Sequence, residues 1–365
     1  MNNSPDYAHG TAPRTAIVLL NLGTPDAPTP QALRAYLREF LGDPRVVEIP
    51  RALWLPLLNG VILPVRSKKS AAKYASIWLD EGSPLKVWTD KQAKLLQGVL
   101  GERGHANLSV RYAMTYGRPG IASVLGELQA QGHTRMLLLP LYPQFSATTT
   151  AAAFDKVYRW AADTRWVPEL RFVNRYHDDA GYVAALADNV RRHWAANGRL
   201  PRGAKLLMSF HGVPRRTLLL GDPYHCECHK TARLLAAQLQ LQPDDYVVTF
   251  QSRFGKAEWL QPYTEPTLRA LAAKGCARVD VICPGFTSDH LETLEEIAME
   301  GRQAFIESGG KEFFYIPALN DSASWIRALA DIAERHLQGW PVKEPPSAEA
   351  LRRSAERAKA MGAVR

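Results

Sequence analysis

Five carboxylates fall within residues 288–301, "SDHLETLEEIAMEG": Asp289, Glu292, Glu295, Glu296 and Glu300, with no Lys or Arg among them. On a helix, Glu292, Glu296 and Glu300 stand four residues apart and line one face, where like charges cost about 0.2–0.5 kcal/mol per pair. Asp289 and Glu292 have a structural use, since they approach a capping box and acids in a first turn favour the helix dipole. Glu296 and Glu300 lie one and two turns deeper, beyond that use. A solvated face ordinarily mixes signs, so the row points to a cation or to traffic of protons. Closely spaced carboxylates share protons and spread their pKa values, and carboxylate with imidazole suits Fe²⁺ or a neighbouring first-row ion. His211 is the candidate imidazole. It ends the apolar run "KLLMSF" and precedes "GVP", whose Gly212 and Pro214 fix a tight turn.

Other clusters carry less chemistry. In "GDPYHCECHKT" (221–231), His225, Cys226, Cys228 and His229 fall within five residues. Cys-x-Cys places its thiols on different faces of a helix start, and no second cysteine pair follows at zinc-knuckle spacing. Cys276 and Cys283 fall in or beside a buried strand pattern, where a thiol acts as a small hydrophobe. "LPVRSKKSAAKY" (63–74) reads either as solvated lysines or as Arg66, Lys69 and neighbours gripping carboxylates at the rim of an apolar slot. "NLGTPD" is not a dinucleotide fingerprint, because the third glycine is absent and Pro25 follows directly.

These groups need a frame, and the hydrophobic pattern supplies one. Short apolar runs alternate with longer helical patterns, the mark of an α/β fold with parallel strands. Strands are expected at 15–22, 108–114, 135–141, 170–176, 205–211, 246–252, 278–284 and 312–318. "PQALRAYLREFL", "TARLLAAQLQL" and "SASWIRALADIAERHL" repeat apolar residues at helical spacing. The halves echo each other: "LLNLGTP" (19–25) matches "MSFHGVP" (208–214), and "LLLPLYPQFS" (137–146) matches "DVICPGFTSD" (280–289). The expectation is two similarly wound domains, 1–165 and 166–340, followed by a polar basic tail, 341–365. Ligands in such sheets bind beyond the carboxyl ends of the strands, so a cleft between the domains would be lined by these turns.

The chain has 365 residues and a net charge of +9. Six basic and three acidic residues of the final 25 account for a third of that excess, which argues against a nucleic-acid-binding body. Four cysteines are too few for a disulfide scaffold. The N-terminal "MNNSPDYAHGTAPRT" lacks a leader pattern, and no apolar run approaches the roughly 20 residues that span a bilayer. A cytoplasmic protein is expected.

In order along the chain, "LLNLGTPD", "GSPL" (82–85), "AMTYGRP" (113–119), "LPLYPQFSATTT" (139–150), "SFHGVP", "GDPY", "TFQSRFG" (249–255), "FTSDHLETLEEI" and "PALNDS" (317–322) resemble the ferrochelatase family over residues 15–340. The resemblance implies two Rossmann-like domains enclosing a porphyrin cleft, and insertion of Fe²⁺ into protoporphyrin IX to form protohaem. It assigns His211 and Glu292 as the central pair, also the iron ligands, with Glu296 and Glu300 continuing from Glu292 and His290 beside it. It implies porphyrin walls at Leu22, Tyr116, Phe145 and Trp259, and propionate contacts at Arg66, Lys69 and Ser252. The segment 52–65 would form an apolar lip that touches the membrane delivering the porphyrin. Iron is then substrate, and no other cofactor is required. Thr115 stands where relatives often carry a basic residue, and Ala147 stands where some carry a cluster cysteine, so no iron–sulfur cluster is expected. Two alternatives stay open: insertion into coproporphyrin, and a non-catalytic two-domain protein that binds haem or metal.

Overall fold

The computed structural model describes residues 8–255, 257–343 and 346–364. The first seven residues of the leader reading lie outside them, as do residues 344, 345 and 365 of the tail. Strands β1 (Arg14–Thr24), β2 (Leu108–Gly117), β3 (His133–Pro140) and β4 (Glu169–Phe172) form one sheet in the order β2-β1-β3-β4. Strands β5 (Lys205–His211), β6 (Tyr246–Gln251), β7 (Arg278–Ile282) and β8 (Glu312–Ile316) form a second in the order β6-β5-β7-β8. Every pairing is parallel, and the two orders are the same, which gives the sequence echo a topological meaning. In each sheet the order reverses at the first strand, which puts the crevice beyond the ends of β1 and β5.

The helices are α1 (Pro30–Leu41), α2 (Arg51–Leu57), α3 (Leu63–Ile77), α4 (Pro84–Glu102), α5 (Ile121–Ala130), α6 (Ala152–Asp163) and α7 (Ala180–Asn197). There follow α8 (Arg215–Leu219), α9 (Tyr224–Gln238), α10 (Thr264–Ala273), α11 (Leu291–Leu294), α12 (Arg302–Glu307), α13 (Ala323–Leu337) and α14 (Ala348–Ala360). Each expected strand is found. The strand expected at 170–176 is shorter, and β4 pairs with β3 in the first sheet. The first sheet therefore runs past residue 165, where the first domain was expected to end. The tail forms α14, which buries none of its residues.

One core cluster joins the halves. Leu19 and Leu139 of the first sheet share it with Leu206 and Ile282 of the second and with Trp325, Leu329 and Ile332 of α13. Helix α13 follows the last strand yet packs on α7, α4 and β3.

The segment 52–65 is one continuous stretch of helix with two faces. Pro56 removes one helical hydrogen bond, and a wider π-type turn follows at Leu58–Ile62. Trp54, Leu58 and Leu63 are buried, whereas Leu53, Leu57, Val61 and Val65, four residues apart, are exposed. No helix among the described residues is long and apolar enough to cross a membrane.

Candidate active site

β5 is buried from Leu206 to Phe210, and His211 emerges half-buried at its carboxyl end. Gly212 is required there: a Cβ would meet the Gln251 carbonyl at 2.7 Å and the Trp259 ring at 3.2 Å. The Nδ1–H of His211 donates to the Gly212 carbonyl at 2.6 Å. A carbonyl only accepts, so the neutral ring keeps its lone pair on Nε2, available for a proton or a metal. The ring lies 6.5 Å from Trp259 and 6.4 Å from Phe286, which in turn meets His290 edge-on at 4.4 Å.

The acidic stretch follows β7. Asp289 is an anchor rather than a cap, a correction to the sequence reading. Its buried carboxylate accepts from Tyr315 Oη at 2.5 Å, Thr293 Oγ1 at 2.9 Å and Asn320 Nδ2 at 2.7 Å. The cap of α11 is His290, whose Nδ1 lies 3.0 Å from the Glu292 amide and 2.9 Å from Glu292 Oε2. One nitrogen cannot serve both. Bare, Nδ1 accepts from the amide; protonated, it donates to the carboxylate. Burial alone would push the Glu292 carboxyl up, but the charge and hydrogen bond of His290 and the charge of His211 hold its pKa at about 2.

Beyond Glu295 the helix widens into a π-type turn, Glu296–Gly301. Glu296 points back to the second sheet, where Oε1 accepts the Ser252 N–H at 2.7 Å and Oε2 the Ser252 hydroxyl at 2.5 Å. Burial raises its pKa, and the neighbouring Glu292 charge adds to that, against the pull of Ser252 and His211. Glu300 leaves the row. The wider winding brings residues five apart onto one side, and the Lys73 ammonium bridges Glu295 Oε1 and Glu300 Oε1, each at 2.8 Å.

Leu22 closes a small cavity against Glu292 and His290, together with Tyr36 and Tyr74. Burial and the Glu292 charge raise the pKa of the Tyr74 hydroxyl. Gly23 is fixed by the close approach of β2, since a Cβ would overlap the Tyr116 carbonyl at 1.7 Å at a φ of +107°. Trp259 stands beside His211, its Nε1 buried without a hydrogen-bond partner among the described residues. Phe145 lies on the loop after β3. The Arg66 guanidinium stacks on Phe254 at 4.2 Å across the cleft mouth, and burial lowers its pKa. Lys69 is exposed on α3.

Two expected contacts move. Tyr116 is no cleft wall: it is 1% exposed, donates to Asp43 at 3.0 Å and has the Lys156 ammonium over its ring at 4.4 Å. An aromatic beside a strand end faces whichever layer its register dictates, and here that is the cluster under α1. Ser252 spends its N–H and hydroxyl on Glu296, which makes it a carboxylate clamp rather than a propionate contact.

Several positioning residues escaped the sequence reading. Buried Gln251 donates to the Glu292 carbonyl at 2.6 Å and accepts from Ser209 at 2.8 Å. Glu227, 4% exposed, accepts the Phe145 N–H at 2.7 Å and is paired with Arg175 at 2.6 Å. Asp222 accepts the Ala147 N–H at 2.8 Å. The signal for Glu227 was present in "GDPYHCE", where an acid on the buried face of a helix calls for a partner. Among the described residues, no three of His, Cys, Asp and Glu are grouped to hold a metal ion.

A family model described as ferrochelatase matches residues 14–337. A protein named ferrochelatase from Polaromonas sp. is 65% identical over 365 residues, 99% of this chain and 98% of that one. Another so named, from Methylibium petroleiphilum, is 65% identical over 98% of each chain. Among solved structures, SirB from Bacillus subtilis with Fe³⁺ superposes with a TM-score of 0.53 at 11% identity, over 89% of this chain and 96% of that one. That likeness carries the two-sheet fold alone.

Proposed function

The chain belongs to the ferrochelatase family and is a lyase that inserts iron into a porphyrin in haem synthesis; on that premise we propose that His211, Glu292 and Glu296 divide the chemistry among them. A free-base porphyrin gives up two N–H protons while the hydrated dication loses water. His211 offers Nε2 as the proton acceptor over the ring. Glu292, whose pKa is held at about 2, attracts and ligates the dication, and His211 joins it as a ligand while its Nε2 carries no proton. Glu296, whose pKa is raised, is the acid that takes protons onward, because a proton settles on the more basic of two neighbouring carboxylates. The observation that carries this division is the opposite displacement of two acids one turn apart, both within the field of His211. Few protein ligands at the centre fit an ion that must leave with the product. Resident cofactors have no part in this reading, and Ala147 offers no thiolate to a cluster.

The substrate we propose is protoporphyrin IX, entering against Leu22, Phe145 and Trp259, with Arg66 and Lys69 toward its propionates. The exposed row Leu53, Leu57, Val61 and Val65 favours the less charged porphyrin over one with two further carboxylates, and supports peripheral contact with the inner membrane face from the cytoplasmic side. Anaerobic insertion assays test the set. His211→Ala is expected to lower kcat by about a hundredfold or more, and unchanged turnover would remove His211 from the mechanism. Protoporphyrin should exceed coproporphyrin in kcat/KM, and the reverse order would reassign the substrate. Flotation with anionic vesicles should be lost in Leu57→Glu/Val61→Glu, and equal flotation would discard the lip as a membrane contact.

A further inference from the structure

The segment "HCECH" takes its carboxylate into the cleft scaffold and leaves its imidazoles elsewhere. On α9, a turn of 3.6 residues stacks His225 above His229, with ring centroids 4.5 Å apart and planes inclined by 54°. Cys228, next to His229 in sequence, is turned to the core and buried. Both rings rest on Phe250, which is 1% exposed: His225 stacks on it at 5.6 Å and 20°, and His229 lies at 6.0 Å. Their orientation is thus set by packing rather than by hydrogen bonds. Among the described residues neither imidazole has a hydrogen-bond or ion-pair partner, only these ring contacts. Burial lowers both pKa values, and the charge of His225 lowers that of His229 further. Near neutral pH each ring is uncharged and carries a lone pair. Adjacent residues of a strand point to opposite faces, and Gln251 is the one that meets Glu292. The pair on Phe250 therefore stands on the other side of β6 from the contact between Gln251 and Glu292.

We propose that His225 and His229 form a bidentate, solvent-facing site for a late first-row divalent cation such as Zn²⁺ or Cu²⁺. Two neutral imidazoles at helical i,i+4 spacing displace two waters of the hydrated ion, and water keeps the remaining positions. Such nitrogen donors favour Cu²⁺ and Zn²⁺ over Mg²⁺ or Ca²⁺. Without a carboxylate or carbonyl behind either ring, the site lacks the support that tightens resident metals, so it exchanges its ion readily. Calorimetric titration of the full-length protein with Zn²⁺ tests this. The wild type is expected to bind one equivalent more than His225→Gln/His229→Gln, and His229→Gln alone, at an exposed position, should weaken that equivalent by about tenfold or more. With Cu²⁺, the electron paramagnetic resonance signature of two nitrogen ligands should vanish in the double variant. Its iron-insertion rate should stay at the wild-type value. Equal stoichiometry in the wild type and double variant overturns the site, as does a His229→Gln protein that binds as tightly as wild type, since the rings would then act singly.

Discussion

Glu292 and Glu296 have the same chemical group and opposite fates. Glu292 meets two imidazoles and keeps its charge; Glu296 meets a serine and a neighbouring anion, and its pKa rises. The Ser252 hydroxyl moderates that rise, because a hydrogen bond to the charged form favours it. Removing it in Ser252→Ala leaves burial and the Glu292 charge less opposed, so the Glu296 pKa climbs further. If deprotonated Glu296 is the working acceptor, the acid limb of the kcat profile then moves to higher pH. A limb that stays in place would take Glu296 out of the proton route. His211 and Glu292 stood out as candidates because a histidine ending an apolar strand and an unmixed acidic row are both local signals, and the resemblance gave them their roles. The Ser252 clamp was not, since it joins residues 44 apart and depends on a φ of +65° at Ser252 that brings N–H and hydroxyl to one carboxylate. Tyr116 misled for the same reason: its neighbours in sequence are strand residues, but its partner Asp43 is 73 residues away.

The strands were legible because buried parallel strands read as short β-branched and leucine runs, and the repeated order of the two sheets follows the repeated motifs. The winding of the acidic helix was not. A periodicity of four aligns Glu292, Glu296 and Glu300, whereas the π-type turn aligns Glu295 with Glu300 and closes them on Lys73 of α3. Two carboxylates held side by side repel, and an ammonium between them offsets that repulsion, so Lys73 ties the winding of this turn to the lip helix. Lys73→Met should loosen the turn and let Glu296 drift from Ser252. The expected result is a kcat lowered by about three- to tenfold, roughly 1 kcal/mol, with the porphyrin KM little changed and Lys73→Arg restoring most of the rate. A loss confined to KM would mean that Lys73 serves the lip alone.

Two sheets make a cleft only if something fixes them to each other, and besides the shared core α4 and α13 do so here. Gln92 of α4 donates to the Thr287 carbonyl at 2.9 Å and the Asn320 carbonyl at 2.8 Å, both in the second half. Trp325, fully buried, seats α13 against its own half, stacking on Tyr176 at 6.0 Å and meeting Tyr182 edge-on at 5.9 Å. At the far end of α13, Glu334 accepts from Arg103 at 2.7 Å and lies 2.6 Å from His105 Nε2. Trp325→Ala is expected to cost about 3–5 kcal/mol of unfolding free energy, measured by urea denaturation, and a cost below about 1 kcal/mol would mean that α13 is seated by other residues. Burial tends to raise the Glu334 carboxyl, but the hydrogen bonds of His105 and Arg103 outweigh it and set its pKa below the ordinary value. A carboxyl lowered on folding stabilises the native state above the unfolded pKa of about 4.3, and that contribution disappears as pH falls below it. Glu334→Gln should therefore destabilise the protein by about 0.5–1.5 kcal/mol at pH 7 and by progressively less as the pH falls below about 4.3 toward the lowered native value. A difference between the two proteins that holds constant from pH 7 to pH 3 would show that the contact acts through packing, with the α13 clasp indifferent to protons.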